Sequence, residues 1–248
     1  MSEKEIECWW DQASEYYQKE INDRFPKTVH YGPFGSDERH LKLLGDVNGK
    51  KVLELGCGGG QCAIALAKEG AICTGLDISK KQLDFARNLA EKNRVKVSFL
   101  KGSFSDLTSI KKCYYDIVLS VFSLQYAENL DSVLTQVNRI LRRGGLFVFS
   151  IDHPFYIMIS PDTLKVESSY YKNGKNIELE RWPDGSRHKS ITYIRKVSDI
   201  LNSILRSGLT LEAVLEPLDL NDKIWGTGYR RKLIRKIGPT IIFKCSKK

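Results

Sequence analysis

The sequence predicts an α/β fold: a doubly wound, mostly parallel sheet of seven strands with helices on both faces. Three observations predict it. Between residues 51 and 151, short apolar runs alternate with helix-length amphipathic stretches, the pattern of a parallel sheet covered on both sides. The first apolar run, Val52-Leu53-Glu54-Leu55, leads into Gly56, Gly58, Gly59 and Gly60, residues that let backbone turn sharply from strand to helix. The second run, Gly75-Leu76-Asp77, ends on an acid.

In chain order, residues 4–22 read as a helix, because Trp9, Tyr16, Tyr17, Glu20 and Ile21 recur at helical spacing. Pro26 and Tyr31-Gly32-Pro33-Phe34-Gly35 break the pattern, and a second helix at 37–44 leads into Gly45-Asp46. Strands are expected at 51–55, 71–77, 95–100, 116–121 and 146–151. Helices between them are expected at 60–69, from a Ser79 cap to Asn93, and from Asn129 or Asp131 to Gly144-Gly145. Residues 152–195 are polar, aromatic and turn-rich. They read as a small antiparallel insertion after strand five, with a hairpin at 170–177 turning on Asn173-Gly174. A helix at 197–207 ended by Gly208, a strand at 209–215, a basic helix at 229–237 and a strand at 240–245 complete the chain. In the basic helix, Tyr229, Leu233 and Ile237 share one face.

Composition narrows the function classes. The 248 residues are 42% hydrophobic, enough for a sizeable core. No apolar run approaches the roughly 20 residues of a membrane span. The polar start, Met1-Ser2-Glu3-Lys4, is not a signal peptide, so a cytoplasmic location is expected. Six scattered cysteines without a C-x-x-C pair read as reduced thiols rather than a zinc site. Most of the net charge of +9 lies in residues 221–248, where nine Lys and Arg face the single acid Asp222. That stretch is either a solvated face and tail or a surface for an anionic partner such as RNA.

The glycine spacing selects a cofactor. A dinucleotide site of the form G-x-G-x-x-G, counted from Gly56, wants glycine where Gln61 stands. The acid Glu54, two residues before Gly56, repels a pyrophosphate and suits a cofactor carrying an ammonium and a sulfonium. Asp77 is placed to accept from ribose hydroxyls, and Ile78 to pack on an adenine face.

On these residues the chain resembles the class I, seven-stranded S-adenosylmethionine-dependent methyltransferases. Glu54 to Gly60 resemble their first motif and Asp77 their second. Residues 116–126 and Ile140-Leu141-Arg142-Arg143-Gly144-Gly145 are similar to the fourth motif and to the turn before strand five, with Arg143 in place of proline. The resemblance implies S-adenosylmethionine as cofactor, no metal, and a last strand lying antiparallel between strands five and six. It implies cofactor contacts from Gly56, Cys57, Gly58, Gly60 and Ser120, and closure over the methionine end by Tyr31 with Tyr16 or Tyr17. Ser103 stands where the family often has an acid for the adenine amine, so that contact is expected from Ser103 and Phe104. The implied organisation is one domain over 1–248: a helical lid at 1–45, a cofactor-binding half at 46–151, a substrate cover at 152–195 and C-terminal helices and strands at 196–248.

Methyl transfer needs a nucleophile aligned with the methyl group and, for some acceptors, a base. His153, just beyond strand five, is the candidate base or acceptor-orienting residue, with a structural cap of the strand end as its other reading. Tyr126 is a candidate for the acceptor wall. Tyr170, Tyr171 and Trp182 either line the acceptor pocket or fasten the insertion. The expected partner is a small-molecule acceptor. An RNA acceptor served by the basic C-terminal segment, or a protein that binds the cofactor without catalysis, are the alternatives.

Overall fold

A computed structural model describes residues 3–22, 28–181, 185–222 and 231–248. Its main sheet contains β1 (Lys51–Leu55), β2 (Ile72–Asp77), β3 (Val97–Lys101), β4 (Tyr115–Val121), β5 (Leu141–Asp152), β8 (Thr210–Leu215) and β9 (Thr240–Ser246). The order is β3-β2-β1-β4-β5-β9-β8. The first five strands are parallel, and β9 runs antiparallel to both β5 and β8. The seven-stranded sheet and its antiparallel last strand are as the sequence predicts.

Alternation along the strands builds two cores, because successive side chains leave a strand on opposite faces. Leu53, Leu55, Val118, Phe147, Phe149 and Phe243 pack with α5 (Leu130–Ile140) and α6 (Val197–Arg206) on one face. Val52, Ile117, Leu119, Val148 and Ile242 pack on the other with α3 (Gln61–Lys68) and the segment 29–47, which contains α2 (Glu38–Leu41). Phe149 stacks between Phe147 and Phe243 at 5.0 and 4.9 Å. Ser79 caps α4 (Lys80–Lys92) by accepting from the Gln82 amide. Asn129, rather than Asp131, caps α5 in the same way, accepting from Ser132.

Four boundaries differ from the sequence reading. Helix α5 stops at Ile140, because Leu141 is already extended and pairs with Tyr115; the register then shifts across Gly144-Gly145 before β5 continues. Helix α2 is one turn long, because Lys42 turns left-handed and the Glu38 carboxylate takes the Leu43 and Leu44 amides. The insertion is a longer hairpin, β6 (Gly174–Arg181) with β7 (Arg187–Ile194), in register from Gly174↔Ile194 to Arg181↔Arg187. Asn173-Gly174 therefore opens β6 instead of forming its turn; Gly174 supplies a φ of 95° there. The basic helix is α7 (Arg231–Ile234), and it buries Leu233 and Ile234 rather than Ile237. Tyr229 and Trp182 lie outside the described residues.

Candidate active site

Where β1 ends, Gly56 turns with φ 65°, and a Cβ on it would lie 2.4 Å from the Ser123 Cβ. The Ser123 hydroxyl donates to the Leu55 carbonyl at 2.9 Å and shares a 2.6 Å hydrogen bond with Ser120. Gly60, at φ 74°, starts α3; a Cβ there would lie 2.8 Å from Phe99. Only glycine lets this loop run so close to its neighbours, and the space above it is a cavity of about 550 Å3.

The loop and the acid after β2 are bound together. Asp77 Oδ2 accepts from the Gly58 amide at 2.7 Å, and Oδ1 from the Ser79 amide at 2.8 Å. With the Ile78 amide as a third backbone donor, the carboxylate still has acceptor capacity left for a ligand hydroxyl. Burial pushes the Asp77 carboxyl up to about 6 despite these donors. Glu54 is 3% exposed and accepts from the Ala63 amide at 2.9 Å in the first turn of α3. Burial pushes its carboxyl up to about 8, so it stays largely protonated near neutrality until a cation approaches. Cys57 and Cys62 line the cavity with thiols that burial holds far up, which makes them packing groups rather than nucleophiles. Ile78, Ser103 and Phe104 complete this side of the wall.

Helix α1 (Glu3–Asn22) lies across the cavity and is fastened at several points. Glu3 Oε1 accepts from the Ser103 hydroxyl at 2.5 Å, and Glu7 pairs with Lys101 at 2.7 Å. Asp11 accepts from the Ser79 hydroxyl at 2.6 Å. Deeper in, Gln61 donates to Gln18 and Gln18 to Gln82, each at 2.6 Å. The Gln82 amide nitrogen, buried on the cavity wall, has no partner among the described residues.

A second cavity, of about 720 Å3, lies beside the first. Five residues line both: Trp10, Tyr17, Phe122, Tyr126 and Tyr193, every one aromatic. The Trp10 ring meets Tyr17 edge-on at 5.2 Å and Tyr126 at 5.6 Å. Phe122 adopts φ 53°, a strained conformation for a residue with a Cβ, and its amide donates to the Ser150 carbonyl at 3.0 Å. The hydroxyl of Tyr126 is held well above its ordinary range by burial and by Asp152, Glu180 and Tyr17, so it is a donor and not a base. Asp152, the last residue of β5, lines the second cavity; burial, then Glu178 and Glu180, push its carboxyl up to about 7.

Several expected residues fall elsewhere. His153 lines neither cavity. It is 3% exposed, its Nδ1 accepts the Phe155 amide at 3.1 Å, and Nε2 therefore carries the proton shared with Glu216 at 2.8 Å. These contacts match its other reading, a structural cap of the strand end. Tyr31 is fully buried beneath α2, donating to Glu38 at 2.5 Å, and its neighbour His30 lines the first cavity instead. Tyr16 lines only the second cavity, so Tyr17 is the tyrosine of α1 that reaches the first. Ser120 is fully buried behind the wall and acts through Ser123. Tyr170 stacks on Phe155 at 4.6 Å and accepts the Val197 amide, and Tyr171 is exposed; neither lines a cavity. Residues 28–37 have no regular period that would distinguish His30 from Tyr31. Asp152 directly precedes His153, whose imidazole carries the stronger sequence signal.

Residues 53–149 match the family model of a methyltransferase domain. An uncharacterized protein of Haemophilus influenzae is 27% identical over 204 residues, covering 77% of this chain and 79% of that one. The ubiquinone biosynthesis O-methyltransferase of Vibrio atlanticus is 32% identical over 142 residues, 57% of this chain and 56% of its own length. This chain thus spans little more than half of that relative. Among solved structures, an S-adenosylmethionine-dependent methyltransferase from Mesorhizobium loti superposes with TM-score 0.62 at 22% identity, over 84% of this chain and 95% of that one. The matched segment holds the glycine loop, the acid after β2 and the aromatic turn after β4; over these residues the chain is similar to a methyltransferase domain, and it shares the fold of the solved S-adenosylmethionine-dependent methyltransferase.

Proposed function

We propose that this protein transfers a methyl group from S-adenosylmethionine, held in the first cavity, to a small-molecule acceptor held in the second. The observation that carries the reading is the aromatic partition shared by the two cavities. A wall of π faces attracts cations, which supports a sulfonium methyl meeting its acceptor there.

The chain's residues fit the cofactor. Asp77 offers lone pairs for ribose hydroxyls, Ile78 and Phe104 offer apolar faces for adenine, and Glu54 offers a carboxyl that a nearby ammonium would ionise. The unpartnered Gln82 amide nitrogen supplies one more donor. When bound, S-adenosylmethionine supplies an electrophilic methyl group and departs as a neutral thioether. The protein's part is to align the acceptor with that methyl and to receive a proton.

A cavity of about 720 Å3 is of the size that takes a small ligand. Asp152, Glu167, Glu178 and Glu180 line it against two cations, Lys172 and Arg195, a balance that repels a polynucleotide backbone. The test is methyl transfer from radiolabelled S-adenosylmethionine into a cell extract separated by size. The reading expects label in the low-mass fraction; label confined to RNA or protein would overturn it.

A further inference from the structure

The second cavity presents an unusually one-sided set of polar groups. Asp152, Gln125 and Tyr126 lie on its wall with Trp9 and Trp10, and Glu178 and Glu180 line it from the solvent-exposed hairpin. Asp152, Glu178 and Glu180 form no ion pair with a lysine or arginine among the described residues. The two cations on the same wall are engaged elsewhere: Arg195 donates to the Ala127 and Glu128 carbonyls, and Lys172 to Asn176 at 3.1 Å.

A second observation points to a ligand. Gln125 is 7% exposed, and its amide nitrogen donates to the Phe122 carbonyl at 2.8 Å, which fixes the orientation of the amide. Its Oε1 has no hydrogen-bond partner among the described residues. A buried carbonyl oxygen left without a donor costs free energy that a ligand N–H would recover. The Gln125 oxygen is an acceptor, and the adjoining faces are aromatic. Both features suit a donor that carries positive charge.

Resting on the transferase reading above, we propose that the acceptor carries a basic nitrogen and that this nitrogen is the atom methylated. The amine arrives protonated, drawn by Glu178 and Glu180. The ionised Asp152 carboxylate removes one proton, which frees the nitrogen lone pair. That pair forms the new N–CH3 bond as the S–CH3 bond breaks, and its electrons return to sulfur as a neutral thioether. The product is a methylated ammonium, still matched to the acidic wall, and Asp152 returns its proton to solvent. Burial and the two glutamates hold Asp152 near 7, where a carboxylate both takes and releases a proton efficiently.

The experiment uses the full chain with 13C-methyl S-adenosylmethionine and a low-mass cell extract, read by carbon NMR, which separates N-methyl from O-, S- and C-methyl resonances. The expected product is N-methyl. Asp152→Asn should lower its rate at least 100-fold, and Glu180→Gln should raise KM with a smaller effect on kcat. Both variants should keep wild-type affinity for S-adenosylhomocysteine, measured by calorimetry. An O-, S- or C-methyl product, or an unchanged rate in Asp152→Asn, overturns the amine proposal and leaves the transferase reading standing. Tight S-adenosylhomocysteine binding with no labelled small molecule overturns both.

Discussion

The Gly58 amide donates to Asp77 Oδ2 at 2.7 Å, so the glycine loop after β1 and the acid after β2 are one hydrogen-bonded unit. The carboxylate fixes the loop and keeps acceptor capacity that the ribose hydroxyls of the proposed cofactor would use.

Asp77→Asn should therefore weaken S-adenosylhomocysteine binding by about 1.5–3 kcal/mol, roughly 10- to 100-fold in Kd. The amide nitrogen replaces an acceptor with a donor facing a backbone N–H or a ribose hydroxyl. Calorimetric titration of the variant reads this directly; an unchanged Kd would separate Asp77 from the cofactor.

Glu54 makes cofactor affinity depend on pH. Its carboxyl rises from an ordinary 4.5 to about 8 on folding, so the folded protein holds this proton more tightly than the unfolded chain does. The sign follows: the ligand-free fold gains from Glu54 at low pH and loses that contribution as pH climbs from 4.5 to 8. A cofactor ammonium favours the ionised carboxyl, so affinity should rise with pH across the upper part of the same window, with proton release on binding. Calorimetry in buffers of different ionisation enthalpy counts that proton, and Glu54→Gln should abolish its release.

His153→Ala should cost about 1–3 kcal/mol of stability, because it removes the buried ring that joins the Phe155 amide to Glu216. It should leave S-adenosylhomocysteine affinity and the pH dependence of turnover unchanged. Urea denaturation and a pH–rate profile measure the two effects separately. A lost limb in the pH profile would return His153 to the chemistry.

The sheet and the cofactor loop were legible in the sequence because both are periodic or spaced signals. Strand alternation, helix caps at Ser79 and Asn129, and the glycines from Gly56 to Gly60 each depend on residues close together in the chain. The residues misplaced at sequence level depend on distant partners. The ring of His153 is fixed by Glu216, 63 positions away, and Ser120 by Ser123, which in turn reaches back to Leu55. Tyr16 and Tyr17 share a helical pattern, and only the packing of α1 on the sheet edge decides which of them faces the cofactor. The acidic wall was hidden for the same reason. Asp152 closes β5, whereas Glu178 and Glu180 arrive from a hairpin whose Asn173-Gly174 entrance resembles a turn.

The most direct measurement is a crystal structure of the protein with S-adenosylhomocysteine. The adenosine is expected against Asp77 and Ile78, with the thioether sulfur at the partition of Trp10, Tyr17, Phe122, Tyr126 and Tyr193, facing the second cavity. A sulfur directed away from that partition, or a ligand bound outside the glycine loop, would contradict this placement.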